Sequence, residues 1–382
     1  MSPMLPAAVA AATLAAALPS PLPAQAQPVQ PARRPAVVLV VSSAGRDSGR
    51  THPGFEMDEL AQAYLVFTRN GFAVTIASPT GGAVHADRFD RSSDYNAAFL
   101  ADAAGASQLA NTRPTTTLRA GDFDALMVIG GKGAMFDLPL DTALARLAGE
   151  LHDRGGVVSA VCHGPAGLLR ARTRDGAPLL AGRAVTGFTN EEETIFGKRW
   201  RAQYPFLLED EARRLGARWE EAPLMLPHVA VDDRLVTGQN PFGTSVAVEA
   251  VVRALGRTPV ARTPWRDERA ITLAAQLLAG DGMVARRTMA EQWKDVQVEL
   301  IGLVGYYQLQ VAAADADVRR ALALMELAAP YMPEPQLSLG LAQAYQRLGR
   351  ADDARALARD VASRHPEHAA AARTLLASLE RR

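Results

Sequence analysis

The chain is poor in several things at once, and each shortage removes a class of protein. It has a single cysteine, Cys162, in 382 residues. One cysteine excludes an intramolecular disulfide and any metal cluster built on paired cysteines. Net charge is also missing, because 41 Lys and Arg balance 41 Asp and Glu. There is no basic footprint for nucleic acid and no acidic tail. Beyond residue 22 no apolar run reaches the length of a membrane span. What remains is an ordinary globular composition, 48% hydrophobic and 21% charged. It is long enough for roughly one to three domains and a substantial core.

Residues 4–22 (MLPAAVAAATLAAALPSPL) form an Ala-rich run interrupted by Pro6, Pro19 and Pro21. The run is too short and too broken to span a bilayer. Ala24-Gln25-Ala26 follows and fits the small-x-small site of a secretory signal. Residues 1–26 are therefore read as an export signal, although no Lys or Arg precedes the apolar run; a plain Ala/Pro tail is the alternative. Residues 27–35 read as a linker. Export implies a periplasmic or secreted location, with no membrane association after cleavage.

From residue 36 apolar runs alternate with helical patterns. Strands are expected at 36–41, 72–77, 124–129 and 157–161, with shorter ones at 184–186, 229–231 and 235–237. Helices are expected at 58–70, 140–154 and 166–171, and residues 84–121 read as a long surface excursion. Near-continuous apolar strands separated by helices imply a parallel sheet covered on both faces. The fold class is therefore α/β, a doubly wound parallel sheet over residues 36–258. A Pro-bearing connector at 258–264 leads to residues 265–382, where no strand pattern occurs and helices are expected at 267–279, 284–310, 317–329, 336–348 and 351–364. Within 335–368 the spacing of Ala342, Tyr345, Gly349, Ala354, Ala358 and Pro366 fits one tetratricopeptide-like (TPR-like) unit. One repeat is too few for a free solenoid, so this region is either a plain helical cap or a docking surface for a protein partner.

The chemistry centres on Gly155–Gly167 (GGVVSAVCHGPAG). A buried strand stops at Cys162, and a small-residue turn opens what reads as a helix. This puts a thiol at the C-terminal edge of a parallel strand, where α/β folds bind ligands. The expected helix start favours thiolate over thiol. The arrangement is a nucleophile elbow with Cys in place of Ser; the alternative is an inert buried cysteine. His163 beside it can act as base and proton shuttle. It needs an orienting acid, and Glu191, Glu192 and Glu193 follow the strand at 184–186; at least two of these three are read as solvated acids at a helix start. Gly130-Gly131-Lys132-Gly133 lacks phosphate-loop spacing and is better used to aim backbone N–H groups at an oxyanion above Cys162. Glu59, after the first strand, falls near the same sheet edge.

Together these segments resemble the ThiJ/PfpI superfamily, in its glyoxalase III and heat-inducible chaperone branch. The matching stretches are Gly54-Phe55-x-x-x-Glu59-Leu60, Ala77-Ser78-Pro79-x-Gly81-Gly82, Gly130-Gly131-x-Gly133-x-x-x-Asp137, Ala160-Val161-Cys162-His163-Gly164-Pro165, Thr186-Gly187-Phe188-Thr189-x-x-Glu192-Glu193, Pro205-Phe206-Leu207-Leu208-Glu209 and Asp233-x-Leu235-Val236-Thr237-Gly238-Gln239-Asn240-Pro241. The resemblance implies a class I glutamine-amidotransferase-like, flavodoxin-like fold. It makes Cys162 the nucleophile, His163 its triad neighbour, Glu193 the acidic third member and Glu59 the glutamate that contacts the nucleophile. Gly131, Lys132 and His163 would supply oxyanion N–H groups. Lys132 stands where the family usually has His.

The resemblance implies a cofactor- and metal-independent conversion of a small α-oxoaldehyde, methylglyoxal or glyoxal, to a 2-hydroxy acid through a cysteine hemithioacetal. Other readings of the same site are deglycation or amide hydrolysis, and a stress chaperone or oxidation sensor without turnover. Full glutamine amidotransfer lacks a synthetase domain to receive ammonia. A homodimer is expected by analogy only.

Overall fold

The computed structural model describes residues 1–2 and 33–380. The expected export signal and most of the linker lie outside the described residues. Arg34–Arg382 form one compact unit.

The strands arise where both faces of an apolar run find cover. In β1 (Ala36–Val40) the side chains alternate between two cores. Val37, Leu39 and, just beyond the strand, Val41 join Leu60 and Phe67 of helix Met57–Arg69; Val38 and Val40 join Leu144, Leu147 and Leu151 of helix Thr142–Asp153. Two-sided burial is why the strand reads as unbroken Val and Leu instead of alternating with polar residues. β2 (Ala73–Ser78), β3 (Arg113–Pro114), β4 (Ala125–Val128) and β5 (Val157–Val161) repeat the parallel pairing. β6 (Ala184–Val185) and β7 (Arg218–Trp219) form a separate two-stranded ladder. β8 (Val229–Asp232) and β9 (Leu235–Gly238) close the main sheet, whose order is β3-β2-β1-β4-β5-β9-β8. β8 runs antiparallel to β9, so the sheet is parallel-dominated and mixed. Its tight turn at Asp233, with φ of +53°, explains the one reversed strand.

Four expectations are corrected. The strand at 184–186 lies outside the main sheet. The excursion at 84–121 is built of helices Asp94–Ala101 and Ala103–Ala110, with Phe99 fully buried under them. It is pinned at its end, where Thr115 Oγ1 donates to Asp141, the N-cap of helix Thr142–Asp153, at 2.7 Å. Many polar and small residues concealed this order, because these helices are short and the first carries no one-sided apolar stripe. The helix expected at 166–171 is a single 3₁₀ turn, Gly164–Leu168. The single helix expected at 284–310 is two, Gly282–Gln292 and Val298–Val311, separated by the turn Trp293–Asp295.

The C-terminal region is all helical. Helices Arg266–Leu278, Gly282–Gln292, Val298–Val311, Asp315–Ala328, Pro335–Arg347, Ala351–Arg364 and Ala369–Glu380 follow one another through short connections. Short connections make sequential helices neighbours. Ala342, Ala354 and Ala358 are buried together, and Gly349 turns the chain between their helices with φ of +77°. The connector at 258–264 is no loose tether. Arg262 pairs through both outer nitrogens with Glu268 at 2.6 Å, and its Nε reaches Glu249 at 3.0 Å. Val260 N–H donates to Asn70 Oδ1 at 2.7 Å. A third core joins the two regions: Leu224, Met225 and Leu226, from the loop between β7 and β8, pack with Ile271, Ala274 and Val304 of the helices.

Candidate active site

The C-terminal edges of β4 and β5 set the site. β5 ends at Val161, and Cys162 takes φ of +59°, a left-handed conformation that a non-glycine residue rarely adopts. Its backbone is held on both sides: Cys162 N–H donates to Gly238 O, and its carbonyl accepts from Phe188 N–H, each at 2.9 Å. The strain turns the side chain off the sheet and into a cavity of about 200 Å³. The close fit needs a glycine beside it. A Cβ on Gly130, after β4, would sit 2.7 Å from His163 N and 2.8 Å from Cys162 Cβ.

The structure brings the expected residues together. Cys162 Sγ lies 3.3 Å from His163 Nδ1, and His163 Nε2 lies 2.8 Å from Glu193 Oε1. With Nε2–H given to the Glu193 carboxylate, Nδ1 presents its lone pair to the thiol. Phe188 stacks on the imidazole at 4.5 Å between centroids, which fixes the ring plane. Glu59, at the start of helix Met57–Arg69, lies under the sulfur and is fully buried; its Oε2 accepts from Gly130 N–H at 2.7 Å. The Cys162 thiol is within hydrogen-bonding reach of that carboxyl. Gly131 N–H points at the sulfur, and Gly131 and Lys132 line the cavity.

Electrostatics correct the expectation of a resting thiolate. The 3₁₀ turn after Cys162 is too short to carry a helix dipole. Burial, and then the Glu59 carboxyl, push the thiol well up, with only the Gly131 N–H working the other way among the main influences. Burial and the neighbouring Glu56 likewise push Glu59 well up. The pair therefore keeps a proton at neutral pH. Held on Glu59, that proton can bridge to a thiolate; held on sulfur, it leaves Glu59 charged.

The reading of the three acids at 191–193 needs revision. Glu191 is exposed, but Glu192 and Glu193 are each only 1% exposed. Glu192 does serve the helix start, in a buried capping box with Thr189, and Asn240 donates to it at 2.8 Å. Burial raises its pKa to about 7. Glu56, not among the residues singled out from the sequence, lines the cavity with Cys162, and burial with nearby Asp58 raises it to about 8, against a lowering pull from Lys132. Its signal in the sequence was an acid three residues before Glu59. The apolar lining, Phe188, Phe196, Met225 and Phe242, was not singled out either. Those residues come from distant segments and meet only in space. Asp58 turns to structure: Tyr95 and Asn96 donate to its carboxylate.

Comparison with known proteins covers the α/β part. A family profile described as the DJ-1/PfpI family matches residues 51–253. A glutathione-independent glyoxalase of Saccharomyces cerevisiae is 31% identical over 221 residues, covering 50% of this chain and 86% of that protein. Glyoxalase 3 of Candida albicans is 31% identical over 215 residues, covering 51% and 87%. Among solved structures, glyoxalase III from Candida albicans superposes with a TM-score of 0.52 at 27% identity, covering 58% of this chain and 97% of that one. The 24 kDa rapid encystment protein of Francisella tularensis gives 0.53 at 28% identity, covering 58% and 99%.

Proposed function

The chain belongs to the DJ-1/PfpI family, and on that footing we propose that it is a glutathione-independent, glyoxalase III-like enzyme acting on methylglyoxal or glyoxal. The observation that carries this reading is the relay of Cys162, His163 and Glu193 opening on a small cavity, with a second buried carboxyl, Glu59, at the sulfur. A cavity of about 200 Å³ falls below the roughly 300–1,000 Å³ of drug-sized sites, so it suits a small molecule. The curated relatives named as glutathione-independent glyoxalases support the same reading.

The thiol proton passes to His163, the sulfur attacks the aldehyde carbon, and His163 returns that proton to the oxygen to give a hemithioacetal. The charge that builds on the aldehyde oxygen faces the N–H groups of Gly131 and Lys132. The former aldehyde hydrogen leaves as a proton, with Glu59 and His163 as the bases in reach, and an enediol forms. Reprotonation at the neighbouring carbon gives a thioester of the 2-hydroxy acid on Cys162. Water cleaves that thioester, releasing lactate from methylglyoxal and restoring the thiol. The oxidation of one carbon balances the reduction of the next, so no external oxidant or reductant enters.

Cys162→Ser is expected to lower lactate formation from methylglyoxal by at least about 10³-fold, because an alkoxide is far harder to form here than a thiolate. Lactate is measured directly, with folding checked by circular dichroism. Wild-type turnover by the folded Ser variant would overturn the mechanism.

A further inference from the structure

The helices beyond residue 260 lie outside the family match, yet two contacts carry them to the cavity. The first is a train of rings. His163 stacks on Phe188, Phe188 meets Phe196 at 6.4 Å, and Phe196 meets Tyr307 of helix Val298–Val311 edge-on at 5.0 Å. Phe196 ends the short helix that also holds Glu193, so Tyr307 braces from behind the wall facing the nucleophile. The second contact holds Met225. This residue lines the cavity with φ of +65°, a conformation its side chain disfavours. It is kept there because Leu224 and Leu226 on either side are buried against the helices, and Leu224 O accepts from the buried Gln308 Nε2 at 3.0 Å.

The lining divides by chemistry. The thiol, His163, Glu56 and Lys132 handle a polar carbonyl pair, while Phe188, Phe196, Met225 and Phe242 offer an apolar surface that glyoxal, with only hydrogen on its second carbon, leaves unused. An apolar cavity of about 150 Å³ is enough for benzene, so about 200 Å³ admits a ring or a branched alkyl group. We infer that the helical region is part of the substrate site: Tyr307 and Gln308 are positioning residues for an apolar wall that selects 2-oxoaldehydes bearing an alkyl or aryl group over glyoxal. This rests on the oxoaldehyde chemistry proposed above and adds the substrate class within it.

The test uses the full chain and three probes: glyoxal, methylglyoxal and phenylglyoxal. Even one methylene in an apolar pocket is worth roughly 10-fold or more in kcat/KM. The wild type is expected to favour phenylglyoxal over glyoxal by at least about 10-fold. Tyr307→Ala is expected to raise KM for phenylglyoxal several-fold and to lower kcat/KM for phenylglyoxal several-fold more than for glyoxal. Tyr307→Phe, which keeps the ring, is expected to restore the wild-type ratio. Gln308→Ala, which frees the Met225 loop, is expected to narrow the ratio in the same direction and serves if Tyr307→Ala does not fold. Equal kcat/KM for all three probes, or a ratio that Tyr307→Ala and Gln308→Ala leave intact, would overturn this inference alone. Turnover of none of the three would overturn the parent reading and this one with it.

Discussion

Glu56 and Glu59 stand three residues apart at the start of one helix, and burial separates their roles. Glu59 is sealed beneath the sulfur, where burial and the neighbouring Glu56 hold its carboxyl well up. Glu56 faces the cavity, with its carboxyl raised to about 8 chiefly by burial. At pH 7 it is neutral. Above about pH 8 it ionises and places a second negative charge near the thiol, whose pKa it raises further. The rate is therefore expected to fall on an alkaline limb near pH 8, and Glu56→Gln, which cannot ionise, is expected to move or abolish that limb. A kcat/KM profile from pH 6 to 10 reads the effect; an unchanged limb in the variant would assign it to another group. The nucleophile and its histidine were legible in the sequence because a strand, a thiol, an imidazole and a tight turn are contiguous. Glu56 was not, because its importance comes from desolvation, which no local pattern encodes.

At the scale of elements, the connector at 258–264 shows how a segment with loop composition becomes a rigid joint. Its prolines and threonines suggested a tether, yet the Arg262 side chain is only 7% exposed and its partner Glu268 9%. Glu268 also accepts from Trp265 N–H, capping helix Arg266–Leu278. Breaking a buried pair leaves an uncompensated charge and costs about 3–5 kcal/mol. Arg262→Ala is expected to lose stability of that order in urea unfolding; a loss under about 1 kcal/mol would mean that the pair is open to water and screened. The main strands were readable as unbroken apolar runs, and helix Ala351–Arg364 by its periodic apolar face. The break at Trp293–Asp295 and the 3₁₀ turn at Gly164–Leu168 were not, since chain direction changes there to satisfy packing elsewhere.

For the whole molecule, the titration of buried carboxyls sets the response to pH. Burial raises Asp137 and Asp267 to about 6, Glu192 to about 7 and Glu56 to about 8, against ordinary values of 3.8 for Asp and 4.5 for Glu. Each therefore binds its proton more tightly when folded than when unfolded. The stability this supplies is complete below the unfolded values and is lost as pH climbs through the folded ones. Carboxyls held low, such as Asp102 and Asp232, act beneath that window. The urea midpoint is expected to be higher at pH 5.5 than at pH 8; a midpoint that rises with pH would contradict the buried, protonated site. The sequence by itself determined the doubly wound sheet, the helical C-terminal region and the thiol at the edge of β5, because these rest on periodicity and contiguous motifs. Only the tertiary structure decided that the helices share a core with Leu224, Met225 and Leu226, that the connector is rigid, and that burial raises the thiol and the carboxyls around it. The physical reason is the same in each case: burial and cross-chain contact act through space, and neither leaves a periodic trace along the chain.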